Sequence, residues 1–394
     1  MTSVNAVPGM RSISTPPRVI YLVTEDWYFI SHRLPMARAA RNAGFEVHVA
    51  TRVDRHGGAI EAEGFKLHPL LWRRGSLNPG DRVALIRAVR RLYRSLMPDL
   101  AHHVSVEASI IGSFAAIGLP IVCVNAVTGL GGVFYGHSMM ERLARWPLMT
   151  VLRWLLRRPH ATVLVQNPDD RAAIERLGVD ASRIALIPGS GVDIEVMKPL
   201  AEPAGVVTVA FVGRLLEPKG IRTLVEAHDL LCRRGRNYRL LIAGLPDAAN
   251  RSSINADEVA AWTHRTNVVY LGHVNDVRTV WASAHIAVLP SRVGEGMPLS
   301  MIEAAACGRP LIATDTPGCR DIVRNGLNGL LAPPDNAQAL ADAIDRLAND
   351  PDLRRKFGQA SRELVEHEFS SARVGRDLVS LYRRILPAYG SSHM

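Results

Sequence analysis

Two cations, Arg214 and Lys219, flank a turn in the segment FVGRLLEPKG at residues 211–220. The apolar run before them predicts a strand that ends at Gly213, and the residues after them predict a helix. Paired cations at a strand-to-helix turn suit a diphosphate, because guanidinium and ammonium groups donate charge-assisted hydrogen bonds to phosphate oxygens. Taken alone, the segment is equally compatible with an exposed loop that carries incidental charges.

Two carboxylates, Glu295 and Glu303, lie in the segment PSRVGEGMPLSMIEAAACGRP at residues 290–310. This segment predicts a strand end, a glycine-rich loop that carries Glu295, and a helix that starts near Pro298. The free N–H groups of a helix start can receive a diphosphate, and each carboxylate can accept hydrogen bonds from vicinal hydroxyls. A helix cap or a salt bridge is the alternative role of either glutamate. Finding both segments after strands in one part of the chain favours a binding function.

A repeated alternation of strands and helices is expected to bring these turns together. Short apolar runs alternate with amphipathic helical segments, among them 32–43, 81–96 and 372–386. Such alternation predicts parallel sheets covered by helices on both faces. The predicted strands are 18–24, 45–51, 65–70, 99–105, 120–127, 161–166, 206–212, 239–243, 268–271, 286–290, 310–314 and 329–332.

The alternation pauses at residues 197–205 (MKPLAEPAG), whose prolines and small residues indicate a linker. We therefore predict an α/β protein with two doubly wound, Rossmann-like domains that face a central cleft, where such sheets bind ligands. The predicted divisions are a flexible leader at 1–17, a first domain at 18–196, the linker at 197–205, a second domain at 206–371, a C-terminal helix at 372–389 that crosses back to the first domain, and a tag remnant at 390–394.

The composition of the 394 residues, with 47% hydrophobic and 21% charged, excludes a disordered or fibrous chain. Four separated cysteines without a CxxC spacing indicate buried thiols in a reducing compartment. No apolar run reaches the roughly 18 residues of a spanning helix, and the start of the chain has no secretory signal pattern. These features predict a cytoplasmic protein.

The net charge of +10 is concentrated in residues 1–200, where 24 Lys and Arg stand against 16 Asp and Glu. The interleaved aromatics, RNP-like stretch and zinc spacing typical of nucleic-acid binding are missing, so we expect no nucleic-acid partner. Segments 81–96 and 141–158 combine arginines with apolar residues, and the second also carries Trp146 and Trp154. Such helices suit the cytoplasmic face of an anionic inner membrane, although ordinary sheet-covering helices with a basic outer face are the alternative.

The motif segments resemble the family-4 retaining glycosyltransferases of the GT-B fold. The spacing from Glu295 to Glu303 matches the E-x7-E motif of that family, and Arg214 and Lys219 match its diphosphate-binding pair. Five further segments resemble the branch that acts on polyprenyl-diphosphate-linked sugars in surface-polysaccharide assembly: TGLG at 128–131, QNPDD at 166–170, IPGSGVD at 187–193, TDTPGCRDIV at 314–323 and NGLLAPP at 328–334.

The resemblance implies a hexosyltransferase-type enzyme that uses a nucleotide-sugar donor, expected to be a UDP-sugar, and retains the anomeric configuration. It implies no metal and no other cofactor, and the DPD at 350–352 is interpreted as a helix cap. The implied catalytic residues are Arg214, Lys219 and Glu295, and no general base is evident. The implied donor-binding residues are Gly213, Val274, Gly296, Met297, Pro298, Leu299 and Glu303.

The acceptor, implied to be a polyprenyl-diphosphate-linked sugar, would bind the first domain. The candidate acceptor or cleft residues are His32, Arg33, His103, Glu107, Thr128 and Gly129. His32 and Arg33 lie at a turn with bulky residues where many relatives have glycines; they could touch a substrate or merely pack, and His103 could line the cleft or lie in the core.

Glu107 departs from the pattern of this branch, which commonly has lysine there, and a carboxylate would repel an acceptor phosphate. One alternative function is therefore a glycosyltransferase with a soluble acceptor. A second alternative is a nucleotide-sugar epimerase or hydrolase on the same fold.

Overall fold

The computed structural model describes residues 16–73, 78–127, 129 and 139–386, with only the backbone for 139–146. These residues form two all-parallel sheets, one of seven strands and one of six. The strands of the first sheet are β1 (Arg18–Glu25), β2 (Glu46–Arg52), β3 (Lys66–Pro69), β4 (Leu100–Val104), β5 (Val122–Ala126), β6 (Ala161–Val165) and β7 (Ile184–Leu186). Those of the second sheet are β8 (Thr208–Val212), β9 (Arg239–Ala243), β10 (Val268–Gly272), β11 (Ile286–Leu289), β12 (Leu311–Thr314) and β13 (Gly329–Ala332).

Helices form the crossover connections that neighbouring parallel strands require. Those of the first half are α1 (Asp26–His32), α2 (Leu34–Asn42), α3 (Gly57–Ala62), α4 (Pro79–Leu96), α5 (Val106–Ala115), α6 (Met139–Leu156) and α7 (Pro168–Arg176). Those of the second half are α8 (Ile221–Arg233), α9 (Ala256–Trp262), α10 (Val277–Ser283), α11 (Leu299–Ala306), α12 (Cys319–Ile322), α13 (Ala337–Ala348), α14 (Pro351–Leu364) and α15 (Ser371–Ile385). None of the described helices is long and apolar enough to cross a membrane.

The strand orders are β3-β2-β1-β4-β5-β6-β7 and β10-β9-β8-β11-β12-β13. We call the first sheet with its helices the N-terminal unit and the second sheet with its helices the C-terminal unit. Strand β1 is buried along most of its length because alternate side chains enter two different cores: Val19 and Tyr21 pack with α2, whereas Ile20 and Leu22 pack with α4. The predicted architecture of two Rossmann-like α/β units is confirmed.

Helix α15 crosses back to the N-terminal unit, as the sequence predicts. Val374, Leu378 and Tyr382 lie in the same core as Val19 and Tyr21 of β1. The Tyr382 hydroxyl lies 3.0 Å from the Tyr21 hydroxyl and 2.5 Å from Nδ1 of His102. Helix α15 is therefore part of the first core although it follows the second sheet in the sequence.

The two passages of the chain between the units lie side by side. Val192, on the first passage, pairs in parallel with Ser370, on the return passage. The N–H of Val192 donates to the Phe369 carbonyl at 3.0 Å, and the N–H of Ser371 donates to the Val192 carbonyl at 2.8 Å. The two passages of backbone that connect the units are thus hydrogen-bonded to each other.

The predicted linker at 197–205 is held on the C-terminal unit by arginines. Nη2 of Arg309 donates to the Ala201 carbonyl at 2.8 Å, and Nε of Arg354 donates to the Glu202 carboxylate at 2.9 Å. The domain boundaries predicted from the sequence stay predictions.

Candidate active site

The second sheet reverses its strand order at β8, which lies between β9 and β11. The loops that follow β8 and β11 therefore emerge side by side at the carboxyl edge, the usual ligand site of such sheets. Arg214 and Lys219 follow β8, and Glu295 follows β11, so the topology brings the two motif segments together.

The ammonium group of Lys219 lies 2.7 Å from both carboxylate oxygens of Glu295. The Ser291 hydroxyl donates a further hydrogen bond of 2.6 Å to the same carboxylate. Burial acts to raise the pKa of Glu295, but the charge and hydrogen bond of Lys219 outweigh it and hold this pKa below its usual value. Lys219 and Glu295 thus form a charged pair at the base of the cleft.

Gly220 explains how the two loops approach so closely. Its φ of 70° lies in the left-handed region, and a Cβ at this position would lie 1.8 Å from the Pro290 carbonyl oxygen. Any side chain here would separate the Lys219 turn from the Glu295 loop.

Arg214 lies closer to the cleft mouth, and both units contribute to its surroundings. Its Nη1 lies 3.0 Å from Oδ2 of Asp247, in the loop after β9. Its guanidinium carbon lies 6.0 Å from the ring centroid of Trp27, in α1 of the N-terminal unit. The Trp27 ring therefore reaches across the cleft to a cation of the opposite unit.

Glu303 lies half-buried on α11 and has no hydrogen-bond or ion-pair partner among the described residues. Burial raises its pKa to about 8. Glu303 is therefore largely protonated at neutral pH, and a neutral carboxyl group can both donate a hydrogen bond to a hydroxyl group and accept one from it.

The other predicted donor residues lie around the same loops. Met297 and Pro298 are buried, and Pro298 is the N-cap of α11, which begins at Leu299. Gly213 directly follows β8, and Val274, just beyond β10, packs partly buried against the core of the C-terminal unit.

His32 faces the two cations from the opposite wall. Its ring stacks on Tyr28 at 4.2 Å between centroids, and its Nδ1 lies 2.6 Å from the Ser31 hydroxyl. Burial, together with the charges of Arg33, Lys219 and Arg214, lowers its pKa to about 3. His32 is therefore a neutral imidazole at physiological pH.

Two predicted cleft residues lie inside the N-terminal unit instead. Arg33 is buried, and its Nη1 donates to the Ser190 hydroxyl at 3.1 Å. His103 is fully buried between Asn125, 2.8 Å from Nδ1, and the Tyr93 hydroxyl, 3.0 Å from Nε2. His103 thus lies in the core, the alternative that the sequence left open, and a role of Arg33 at the cleft stays a prediction.

The remaining acceptor candidates are divided. Glu107 lies in the first turn of α5, just beyond the carboxyl end of β4 and two residues after Ser105, whose φ is 98°. The loop at residues 290–298, which follows β11 and carries Glu295, is called the donor loop here. Gly129 lies against it, because a Cβ at Gly129 would be 3.0 Å from the Gly296 nitrogen. Thr128 lies outside the described residues.

Three residues at the site were not predicted from the sequence: Trp27, Asp247 and Asn167. The side-chain amide of Asn167 donates to the carbonyls of Glu295, at 3.1 Å, and Gly296, at 2.8 Å. These contacts join residues far apart in the chain, and only the QNPDD segment at 166–170 gave a signal of importance.

The described residues contain no group of three or more His, Cys, Asp and Glu side chains placed to hold a metal ion. The expected absence of a metal requirement stays an expectation.

Two protein-family models match the chain and together span most of it. The model for Glycosyltransferase Family 4 matches residues 34–196, and that for Glycosyl transferases group 1 matches residues 193–364. The chain is therefore a glycosyltransferase of group 1/family 4, which confirms the resemblance identified from the sequence.

The particular relatives include enzymes of glycan assembly. The chain is 23% identical over 384 residues to the N,N'-diacetylbacillosaminyl-diphospho-undecaprenol alpha-1,3-N-acetylgalactosaminyltransferase of Campylobacter jejuni, covering 91% of this chain and 98% of that protein. It is 33% identical over 178 residues to the capsular polysaccharide biosynthesis glycosyltransferase CapM of Staphylococcus aureus, which covers 45% of this chain and only about half, 46%, of CapM.

A solved structure shares the fold along the whole chain. Anabaena Alr3699/HepE in complex with UDP-glucose matches with a TM-score of 0.74 and 17% identity, covering 93% of this chain and 99% of that one.

Proposed function

We propose that this glycosyltransferase moves a sugar from a nucleotide-sugar donor, a UDP-sugar, to a lipid-linked sugar acceptor in surface-polysaccharide assembly, with retention of the anomeric configuration. The observation that carries the proposal is the convergence of Arg214, Lys219 and Glu295 at the carboxyl edge of the second sheet, facing α1 across the cleft.

The chemistry follows from the charge that develops on the leaving group. When the anomeric C–O bond breaks, its electron pair stays on the departing diphosphate. Lys219 and Arg214, together with the N–H groups at the start of α11, would stabilise that charge where it forms. Both cations are paired with carboxylates, Arg214 with Asp247 and Lys219 with Glu295.

The two glutamates suit the two sugars of a nucleotide sugar. Glu295, held by Lys219 and Ser291, can accept hydrogen bonds from the transferred sugar. Glu303, which lacks a partner among the described residues, can donate a hydrogen bond to one ribose hydroxyl and accept one from the other. UDP-glucose in the HepE structure supports uracil as the base of the donor nucleotide.

The lipid-linked acceptor is supported by the Campylobacter relative, whose name specifies a diphospho-undecaprenol acceptor. Glu107 supports the alternative, because its carboxylate, in the first turn of α5, would repel an acceptor diphosphate bound beside it. A soluble acceptor is therefore the second candidate.

A membrane-facing surface on the N-terminal unit would deliver such an acceptor. Helices α4 and α6 both pack against α5, so they lie on the same side of the sheet. Leu71 is 96% exposed and Trp154 is 52% exposed, with the Arg158 guanidinium 5.2 Å from the Trp154 ring. Exposed apolar side chains among arginines suit the headgroup region of an anionic bilayer.

The donor site is tested first by thermal shift with UDP-, GDP- and ADP-sugars, because a bound ligand raises the apparent stability. We expect UDP-sugars to stabilise the protein. Lys219→Ala should then lower kcat by about 100- to 1,000-fold with little change in melting temperature. Lys198→Ala, which changes an exposed lysine of the linker, is the matched control. Normal turnover by Lys219→Ala would remove Lys219 from the mechanism.

The acceptor is tested by comparing transfer to polyprenyl-diphosphate-linked and water-soluble sugars, with NMR of the product to give the anomeric configuration. Faster transfer to the soluble acceptor would select the alternative function. Release of UDP at the same rate without any acceptor would identify a hydrolase.

A further inference from the structure

The donor loop is held from both units, and each unit uses different groups. In the C-terminal unit, the N–H of Glu295 donates to the Pro317 carbonyl at 2.9 Å. Gly318 leaves room for the carbonyls of Glu295 and Gly296, which would lie 2.6 and 2.7 Å from a Cβ at position 318. The loop thus packs on the Pro317–Gly318 turn of its own unit.

Asn167 holds the same two carbonyls from the N-terminal unit. It is fully buried, and its Nδ2 donates to the Gly296 carbonyl at 2.8 Å and to the Glu295 carbonyl at 3.1 Å. The same nitrogen lies 3.0 Å from Oδ2 of Asp170, and the Asn167 Oδ1 accepts from the Asp170 N–H at 2.8 Å. Asn167 is therefore the N-cap of α7 and, at the same time, a clamp on the opposite unit.

The clamp fixes the direction of the loop's N–H groups. In a trans peptide the N–H points away from the carbonyl of the same peptide unit. With the Glu295 and Gly296 carbonyls bound to Asn167, the N–H groups of Gly296 and Met297 must point away from it. Neither N–H has an acceptor among the described residues.

We propose that Asn167 is a positioning residue for sugar transfer: it orients the Glu295–Gly296 peptide, so that the donor loop reaches its working geometry only when the two units are closed. This inference rests on the proposed function, in which the same loop receives the donor. The acceptor-side unit thereby completes the donor site, and a nucleotide sugar bound to the open C-terminal unit meets an incompletely positioned loop.

Asn167→Ser separates the two roles of the residue. Serine is a good N-cap, so α7 keeps its start, but the hydroxyl is too short to replace both bonds to the donor loop. Asn336→Ser is the matched control, because Asn336 caps α13 through the Ala339 N–H at 2.9 Å and lies exposed, away from the cleft.

We expect Asn167→Ser to lower kcat about tenfold to a hundredfold. UDP affinity should change less than threefold, because the nucleotide contacts lie on the C-terminal unit. Hydrogen exchange should become faster in residues 291–298, which a purely local role in α7 would not affect. Asn336→Ser should change none of these quantities.

Two outcomes would overturn the inference. Unchanged exchange in residues 291–298 would show that Asn167 does not hold the loop, and faster exchange with normal kcat would show that the hold does not serve catalysis. If the wild-type protein transfers no sugar from any nucleotide sugar, the proposed function fails and with it the catalytic role, while the exchange measurement still decides whether Asn167 holds the loop.

Discussion

At the scale of single residues, each cation of the proposed donor site forms an ion pair with a carboxylate. Lys219 is paired with Glu295, and Arg214 with Asp247. The donor diphosphate would replace carboxylate oxygens by phosphate oxygens around the same cations. The displaced carboxylates would stay near the incoming diphosphate, so each needs another partner, such as a sugar hydroxyl, when the donor binds.

Glu303 makes stability depend on pH. Burial raises its pKa to about 8 in the folded protein, above the value of an unfolded chain. Its contribution to stability is therefore complete in acid and is lost as the pH rises through about 8. We expect Glu303→Gln, which cannot ionise, to raise the melting temperature above that of the wild type at pH 9 but not at pH 5. An equal difference at both pH values would contradict this, and UDP binding should weaken in the variant.

Trp27 should act on turnover through Arg214. Trp27→Leu removes a cation–π contact worth about 0.5–1 kcal/mol at exposed sites, so kcat should fall about two- to fivefold. Trp27→Phe should retain most of the activity, because the ring face remains. In an Arg214→Ala background, Trp27→Leu should have no further effect. A twofold to fivefold loss that persists in that background would show that Trp27 acts by another route.

At the scale of elements, close approach between loops sets the geometry of the cleft. Gly129 has a φ of 81° and lies against the Gly296 nitrogen. Gly129→Ala should lower kcat at least tenfold, because the added methyl pushes the donor loop away. Gly64→Ala is the matched control: Gly64 has a φ of 78°, but a Cβ there would meet nothing within 4 Å. If both variants lose the same activity, backbone strain rather than the contact explains the loss.

The sequence predicted most strands because they are buried on both faces and read as continuous apolar runs. It placed the first helix late: the structure begins α1 at Asp26, whose side chain is buried and accepts from the N–H groups of Trp27, Asp54 and His56. It also missed β7, which has only three residues, Ile184–Leu186. Both errors arise where a distant contact, rather than local pattern, decides the structure.

The candidate site was predictable where one segment carries the whole signal. Lys219 and Glu295 each stand beside glycines after a strand, and topology brings them together. The contacts of Asn167 and Trp27 at the site are with residues of the opposite unit, so local spacing does not indicate them. The orientation of His103 within β4 also depends on Asn125 and Tyr93, which the sequence does not identify as neighbours.

At the scale of the whole molecule, α15 follows the second sheet in the sequence but packs in the core of the N-terminal unit. Tyr382→Phe would leave Nδ1 of the fully buried His102 without its partner. We expect a loss of about 1–3 kcal/mol in the free energy of unfolding, measured by urea titration. Tyr270→Phe is the control, because the Tyr270 hydroxyl has no partner among the described residues. Equal stability of the two variants would show that the Tyr382 hydroxyl is dispensable.

The proposed membrane contact depends on the uneven charge of the chain. Arg87, Arg91 and Arg94 of α4 are exposed. Exchanging all three for glutamate should abolish sedimentation with anionic vesicles at low salt. The same exchange at Arg233, Arg239 and Arg346, exposed on the C-terminal unit, alters the net charge equally and should leave binding intact. Equal loss in both triple variants would indicate a response to net charge alone.

The pairing of Val192 with Ser370 sets what kind of motion the molecule can make. The backbone hydrogen bonds of this pairing join the two passages of the chain, so we expect a rotation of one unit against the other to change its geometry. Gly189, three residues before Val192, lies against the donor loop, since a Cβ there would be 3.1 Å from Cγ of Met297. A side chain at Gly191, where a Cβ would lie 2.8 Å from Cα of Ser371, should therefore disturb both this pairing and the neighbouring donor loop.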